Sequence, residues 1–282
     1  MVDLHIHSTC SDGSLSPAAL VQRALRLGLR AIALTDHDGV SGNAEALLSG
    51  AELGLPVIPG IEISTQWQGL TFHLLGYGLR HTGGAVASTL EFLLDCRRRR
   101  NPLMVQKLRD LDIDITLDEV RRVAGGEVVG RPHFARVLLD KGVVTSTQDA
   151  FDRYLGRGAR AYVDKTRLEP RAACQLVRDA GGVPVLAHPG LIERDHPGRL
   201  EPLLEELVAL GLEGVEAYYS GHDPGQTLRY RNLARSRGLL VTGGSDFHAP
   251  DPRGPELGSG FGSLLVPDVC WETLQERLDM AR

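Results

Sequence analysis

The stretch Asp3-Leu4-His5-Ile6-His7-Ser8, followed a few positions on by Asp12-Gly13, decides how the rest of the chain is read. Val2, Leu4 and Ile6 alternate with polar residues, the pattern of a short strand. Side chains two apart in a strand lie on the same side, so His5 and His7 project together. At the usual rise per residue they stand about 6.6 Å apart, a reach at which two imidazoles can close on one ion. Asp12, in the turn that follows, adds an oxygen donor. Taken alone, the stretch also fits two surface histidines, and the remaining histidines and carboxylates decide between the two readings.

Strand and helix patterns alternate along most of the chain. Ser16-Pro17 opens a helix with a cap followed by proline, and this helix stops at Gly28. A strand at 31–34 leads into Thr35-Asp36-His37-Asp38-Gly39, and a helix is expected over 43–53. Strands follow at 56–63 and 70–76. From 88 to 162 the periodicity is mainly helical, with loops at Gly125-Gly126 and Gly156-Arg157-Gly158. Alternation resumes with helices near 171–180, 200–210 and 226–237 and strands at 183–187, 214–217 and 239–242. A segment at 263–266 and a helix over 269–281 close the chain. Seven strands separated by helices imply a largely parallel sheet covered by helices. A barrel fits better than an open sheet, because polar clusters follow nearly every strand and no Gly-rich phosphate loop follows the first. The expected organisation is a barrel built from 1–87 and 163–282, with the helical insertion 88–162 between its two parts.

At 282 residues, 42% hydrophobic and 24% charged, the chain has the composition of a soluble globular protein. No run approaches the roughly 18 apolar residues of a membrane span. Met1-Val2-Asp3 lacks the basic and apolar segments of a signal peptide, so a cytoplasmic protein is expected. The four cysteines (Cys10, Cys96, Cys174, Cys270) are scattered without a metal or disulfide spacing. Cys10 lies between His7 and Asp12, but no basic neighbour lowers its pKa, and a small buried residue is the favoured reading. A net charge of −5 argues against a broad nucleic-acid surface and against stable duplex DNA binding. The run Arg97-Arg98-Arg99-Arg100 sits in a helical pattern and reads as a solvated helix face rather than a phosphate track.

The strand ends supply the chemistry. They carry His5 and His7 with Asp12 beyond, Asp36-His37, Glu62, His73, His188-Pro189, and Gly244-Ser245-Asp246-Phe247-His248. Six histidines and three carboxylates can thus converge on one face. Imidazoles mixed with carboxylates suit Zn²⁺, Mn²⁺ or Fe²⁺, and so many donors suit two or three ions. Asp36 and Asp38 flank His37 and are expected to orient it.

These motifs resemble those of the PHP (polymerase and histidinol phosphatase) metallo-phosphoesterases. The matching stretches are D-L-H-I-H-S-T-C-S-D-G, T-D-H-D-G, G-I-E-I-S, F-H-L-L-G-Y, A-H-P-G and G-S-D-F-H, spanning residues 3 to 248. The resemblance implies a distorted (β/α)₇ TIM-like barrel holding up to three divalent ions. It assigns His5, His7, Glu62 and Asp246 to one ion, with Glu62 bridging to a second held by His73 and His188. Asp12, His37 and His248 fall to the third, and an aspartate at position 12, where some relatives carry histidine, favours a harder metal there.

Within the family the likeness is strongest to bacterial enzymes that remove the 3′-phosphate of 3′,5′-bisphosphonucleotides, and to relatives that trim short RNA from the 5′ end. G-R-P-H-F-A at 130–135 and E-A-Y-Y-S-G-H at 216–222 look like theirs. The resemblance makes Arg131 and His133 candidates for binding phosphate; Arg131 reads equally well as a surface residue at a helix start. His222 is the candidate general acid or substrate contact, with Glu62 and Asp246 as metal-bound catalytic carboxylates. The expected substrate is a nucleotide or short oligonucleotide. A phosphatase of histidinol phosphate or another small molecule is the alternative, and a non-catalytic metal-binding module is the alternative of another class.

Overall fold

In the computed structural model, which describes residues 1–125 and 128–280, seven strands form one sheet in sequence order. They are β1 (Asp3–Ile6), β2 (Ile32–Leu34), β3 (Val57–Trp67), β4 (Leu70–Tyr77), β5 (Val183–Leu186), β6 (Gly214–Tyr219) and β7 (Leu240–Gly244). The first helices are α1 (Pro17–Arg26), α2 (Asn43–Leu53), α3 (Gly84–Arg109), α4 (Leu117–Ala124), α5 (Arg131–Asp140) and α6 (Thr147–Ala150). After them come α7 (Pro170–Asp179), α8 (Pro189–Asp195), α9 (Leu200–Ala209), α10 (Pro224–Arg235) and α11 (Asp268–Met280). The expected Gly126 loop position and the end of the last helix at Ala281 lie outside the described residues. No helix among the described residues is long and apolar enough to cross a membrane.

The sheet nearly closes on itself, as a distorted TIM-like barrel. The β1 and β7 ends meet where His7 N–H donates to Phe247 O at 2.9 Å and Asp246 N–H donates to His5 O at 2.8 Å. The buried Asp3 carboxylate fastens this seam by accepting from Ser245 N and Gly258 N, both at 2.8 Å. Burial pushes the Asp3 carboxyl up to about 6.

One strand departs from the expected parallel order. β4 pairs antiparallel with both β3 and β5. The cause is local: β3 runs on to Trp67, and only Gln68 and Gly69 separate it from β4. Both have positive φ (47° and 80°), the twist a two-residue hairpin requires. Two residues cannot make the crossover that a parallel pair needs. The segment at 263–266 is not a strand, and its link to β1 is Val2 N–H donating to Val266 O at 3.3 Å.

Between β4 and β5 the chain builds a second apolar cluster. Met104, Leu108, Ile115, Val120, Phe134, Leu138 and Leu155 pack together there, apart from the barrel's own core. The long helix α3 serves both, because Val86, Leu90 and Leu93 join the barrel core and Met104 and Leu108 join the second cluster.

Gly244 sits where β7 crosses β1. A methyl group there would fall 2.4 Å from the His5 backbone nitrogen and Cβ, whereas Gly83 has nothing within 4 Å. Gly244→Ala should cost about 1–3 kcal/mol of stability, as overpacking does. Gly83→Ala should stay within roughly 0.5 kcal/mol, as open surface changes do. Urea denaturation of the two variants against the parent checks this.

Candidate metal centre and substrate pocket

Glu62 lies in the middle of β3, buried, and imidazoles approach its carboxylate from several strands. Its Oε1 is 2.8 Å from His73 Nδ1 and 3.0 Å from His188 Nε2. Its Oε2 is 3.0 Å from His37 Nδ1, 3.2 Å from His7 Nε2 and 3.3 Å from His5 Nε2. His73 reaches in from β4, where it pairs with Ser64 of β3. Asp246, at the β7 end, brings Oδ1 to 3.1 Å from His7 Nε2 and 3.5 Å from His5 Nε2. Asp12 completes the far side, 3.3 Å from His248 Nε2 and 3.9 Å from both His7 and His37.

Three groups of these side chains present ligand atoms within 4.8 Å of one another: His5, His7, Glu62 and Asp246; His7, Asp12, His37 and His248; and His37, Glu62 and His73. All nine residues singled out as ligands in the sequence converge on this one region. His7 and His37 each belong to two groups, so the assignment of His37 to one ion alone is finer than the geometry.

The polar atoms here are poorly served by one another. Among the described residues ten buried side-chain nitrogens and oxygens lack a hydrogen-bond partner, and seven belong to this cluster: His5 Nε2, both His7 nitrogens, Asp12 Oδ1, His37 Nδ1, Glu62 Oε2 and His188 Nδ1. Buried polar atoms without partners are costly, and their convergence fits divalent cations. The mix of nitrogen and carboxylate donors fits them too. Electrostatics agree. Burial opposes charge on both sides, yet the histidines hold Glu62 and Asp12 well below the usual carboxylate range. The His7 ring, despite its burial, is raised to about 10 by the nearby Asp246 and Glu62 carboxylates. The carboxylates therefore attract any positive charge that can sit among them.

Several supporting residues escaped the sequence reading. Glu216 of β6 accepts from His5 Nδ1 at 2.9 Å and from the His188 backbone N–H at 2.7 Å. The first bond leaves His5 Nε2 free to face Glu62. The second holds His188 at φ 26°, a strained value for a histidine. Asp36 and Asp38 do not contact the His37 ring as expected. Asp36 accepts from Ser8 N and Oγ (2.7 and 2.6 Å) and from Ser11 Oγ (2.5 Å), fixing the loop that carries Asp12. Asp38 accepts from Arg97 at 2.8–2.9 Å, from Ser64 N at 2.7 Å and from Lys165 Nζ.

Above the cluster opens a cavity of about 320 Å³. Its lining brings together Asp12, His37, His73, His188 and His248 of the cluster, the cationic Arg97, Arg100, Arg131, Lys165 and Arg167, and the apolar Phe72, Phe151, Leu191 and Ile192. The arginine run is thus divided: Arg97 and Arg100 are buried beside the cavity, and Arg98 and Arg99 are exposed. Arg131 packs its guanidinium over the Phe151 and Tyr162 rings, 5.7 Å from each centroid, and donates to Leu155 O at 3.3 Å. Gly130 lets this segment come close, since a methyl group there would lie 2.9 Å from Asp12 Cβ.

Two expected site residues stand apart. His133 is buried but not on the cavity wall, and its Nδ1 accepts from Gly130 N–H at 3.0 Å to cap its own helix. His222 is also off this wall. Its Nε2 accepts from Gly190 N–H at 3.1 Å and its Nδ1 faces Ala217 O at 3.0 Å, so the backbone occupies both nitrogens and neither is placed to pass a proton to substrate.

Residues 3–167 match the family model described as PHP domain. The chain belongs to the PHP-domain family. Over 283 residues it is 34% identical to a 3′,5′-nucleoside bisphosphate phosphatase of Chromobacterium violaceum, covering 98% of this chain and 97% of that protein. It is 34% identical over 252 residues to the 5′-3′ exoribonuclease Rnm of Escherichia coli, covering 89% and 86% respectively. A solved amidohydrolase from Chromobacterium violaceum, with bound sulfate and no metal, superposes with a TM-score of 0.85 at 33% identity, covering 98% of this chain and 96% of that one. The PHP-domain chain is accordingly a metal-dependent phosphoesterase.

Because Glu62 belongs to two of the three ligand groups, Glu62→Gln should lower bound metal by at least one ion per chain. Turnover should fall at least about a hundredfold, since even the loss of a residue behind the ligands costs up to that much. Elemental analysis, phosphate release and far-ultraviolet circular dichroism on one preparation check this. A variant with full metal content and near-normal turnover would remove Glu62 from its shared position.

Proposed function

We propose that this phosphoesterase hydrolyses the 3′-phosphate of 3′,5′-bisphosphonucleotides and the corresponding 3′ linkage at the 5′ end of short RNA. The observation that carries the reading is a single cavity lined both by residues of the metal-ligand cluster and by five cationic side chains. Such a cavity suits a substrate with two phosphates, one reacting and one held at a distance. Names of relatives point the same way. Both reactions break the same bond: water adds its oxygen to phosphorus, and the 3′ oxygen of the first nucleotide leaves with a proton. They differ in what else the phosphorus carries, nothing in the bisphosphonucleotide and the next nucleotide in RNA.

Two or three divalent ions in the cluster, of which Mn²⁺, Zn²⁺ or Fe²⁺ best match the donors, would supply hydroxide near neutral pH and offset charge on the reacting phosphate. The chain's own groups do the rest. Arg97 and Lys165, anchored on Asp38, and Arg131, stacked on aromatic rings, present fixed positive charge to the 5′-phosphate. Phe72, Leu191 and Ile192 offer apolar surface to the nucleoside between the two phosphates. A cationic amine such as histidinol would face five like charges, which disfavours the small-molecule alternative. A complete and converging ligand set disfavours a non-catalytic module.

Arg131→Ala should reduce kcat/KM on a bisphosphonucleotide by about 2–4 kcal/mol, the range for removing one member of a desolvated charge pair. p-Nitrophenyl phosphate has no second phosphate and should be affected far less. Steady-state kinetics on both substrates separate binding of the remote phosphate from a role in the chemistry.

Lys165 gives a pH signature. Burial first, and then Arg97, bring its ammonium down to about 7, against the pull of Asp38. The charged form that attracts phosphate exists below that pH and is lost above it. The kcat/KM for the bisphosphonucleotide should therefore fall as pH rises through about 7, and Lys165→Arg should move that fall to higher pH. A pH profile of kcat/KM for both proteins tests the sign.

A further inference from the structure

The E-A-Y-Y-S-G-H segment finds little use in the first cavity, because Tyr218 and Tyr219 do not line it. They line another. A second cavity of about 300 Å³ opens beside the end of β6, walled by Tyr218, Tyr219, Ser220, Thr227, Arg231 and Leu264 among others. Tyr219 joins the two regions. Its hydroxyl donates to Asp246 Oδ2 at 3.2 Å, and its ring stands 5.4 Å from the His188 ring, while the same side chain forms a wall of the second cavity. One aromatic side chain thus separates the metal-ligand cluster from this space.

The chemistry of the space is specific. No carboxylate lines it among the described residues, although the chain carries 36 acidic residues. Arg231 is half-buried on its wall with its guanidinium 5.5 Å from the Tyr218 ring centroid. Among the described residues no acidic side chain forms an ion pair with Arg231, unlike its neighbour Arg229, which pairs with Glu193 at 2.7 Å. An unpaired guanidinium, two tyrosine rings, the His222 ring and the hydroxyls of Ser220, Thr227 and Ser263 make a lining that suits an anion joined to a flat ring. Single-stranded nucleic acid is bound by this combination, with aromatic faces against bases and cations along the backbone.

We propose that the second cavity holds the next nucleotide of an oligonucleotide substrate, its phosphodiester against Arg231 and its base against the tyrosine walls. The inference rests on the proposed function. The reacting phosphate of a bisphosphonucleotide ends there, whereas that of RNA carries a further nucleotide that must leave the metal-ligand cluster, and the space behind Tyr219 receives it. The first cavity then reads the 5′ nucleotide, and the second decides whether a longer chain is accepted.

The test compares Arg231→Ala and Arg231→Lys with the parent on a 3′,5′-bisphosphonucleotide and on a 5′-phosphorylated tetranucleotide. Arg231→Ala should lower kcat/KM on the tetranucleotide about tenfold and flatten its log–log salt dependence by roughly 0.7, the slope for one single-strand phosphate contact. The bisphosphonucleotide should change less than about twofold, and Arg231→Lys should retain most of the tetranucleotide activity, because the charge persists. Equal losses on both substrates, or unchanged tetranucleotide kinetics in Arg231→Ala, would overturn the inference. A parent enzyme that cuts the bisphosphonucleotide but no oligonucleotide would overturn it while the phosphatase reading stands. A parent that cuts neither, yet releases phosphate from another ester, would overturn both.

Discussion

One buried carboxylate, Glu62, sets the terms for the barrel mouth. Five imidazole nitrogens, carried by β1, β4, β5 or the residues just past them and by the loop after β2, lie within 3.3 Å of its two oxygens. Such an array is stable only when positive charge is shared among its members, as protons or as metal ions. The surrounding design serves that need. The β1–β7 seam sets His5 and His7 beside Asp246, Glu216 fixes the free nitrogen of His5, and the serine-bound Asp36 keeps Asp12 in range. Five non-glycine residues among those described adopt positive φ, and three of them, Asp38, His188 and Asp246, are ligands or stand beside the ligand cluster. Backbone strain is thus part of how the ligands are placed.

The cationic wall has a different origin. Its members come from the helical region and the chain returning from it, and two of them, Arg97 and Lys165, are tied to the barrel through Asp38 in the loop after β2. Burial and mutual repulsion cost energy there; Arg100 is lowered to about 9 by burial and by Arg97 and Arg131. An anion in the cavity relieves that repulsion. Substrate binding and the packing of the insertion against the barrel therefore draw on the same charges.

How much of this was legible in the sequence depended on range. His5 and His7 are readable because a two-residue period in a strand needs no tertiary knowledge, and the strand-end position of His188 and Asp246 follows from the alternation of elements. Glu62, expected near a strand end, lies instead in the middle of β3 because that strand runs on to Trp67. Glu216 was quoted within a motif yet given no role, because an acidic residue inside a strand is recognisable as a support only once its neighbours are known. Arg97 and Arg100 were taken for solvated residues, although the spacing 86, 90, 93, 97, 101, 104, 108 already places Arg97 on the buried stripe of α3. His222 was a plausible acid by type and position, and only its contacts with Gly190 and Ala217 show both nitrogens engaged. The β3–β4 hairpin was missed because Gln68-Gly69 is a weaker turn signal than Asn-Gly or Asp-Gly.

That hairpin has a consequence for the architecture of the mouth. With β4 reversed, the chain leaves the barrel at the end opposite the ligand cluster and must climb the full wall to return. The fourteen residues from Gly84 to Arg97 make that ascent in one helical run of about 20 Å at the helical rise. The helix is then a ruler as well as a scaffold: its length fixes the height at which Arg97 meets Asp38. Insertions or deletions beyond Leu108 can remodel the roof and leave that height unchanged. A single residue added below Arg97 would turn the guanidinium about 100° away from its carboxylate, so substrate range can diversify at one end of this helix while the other stays fixed in length.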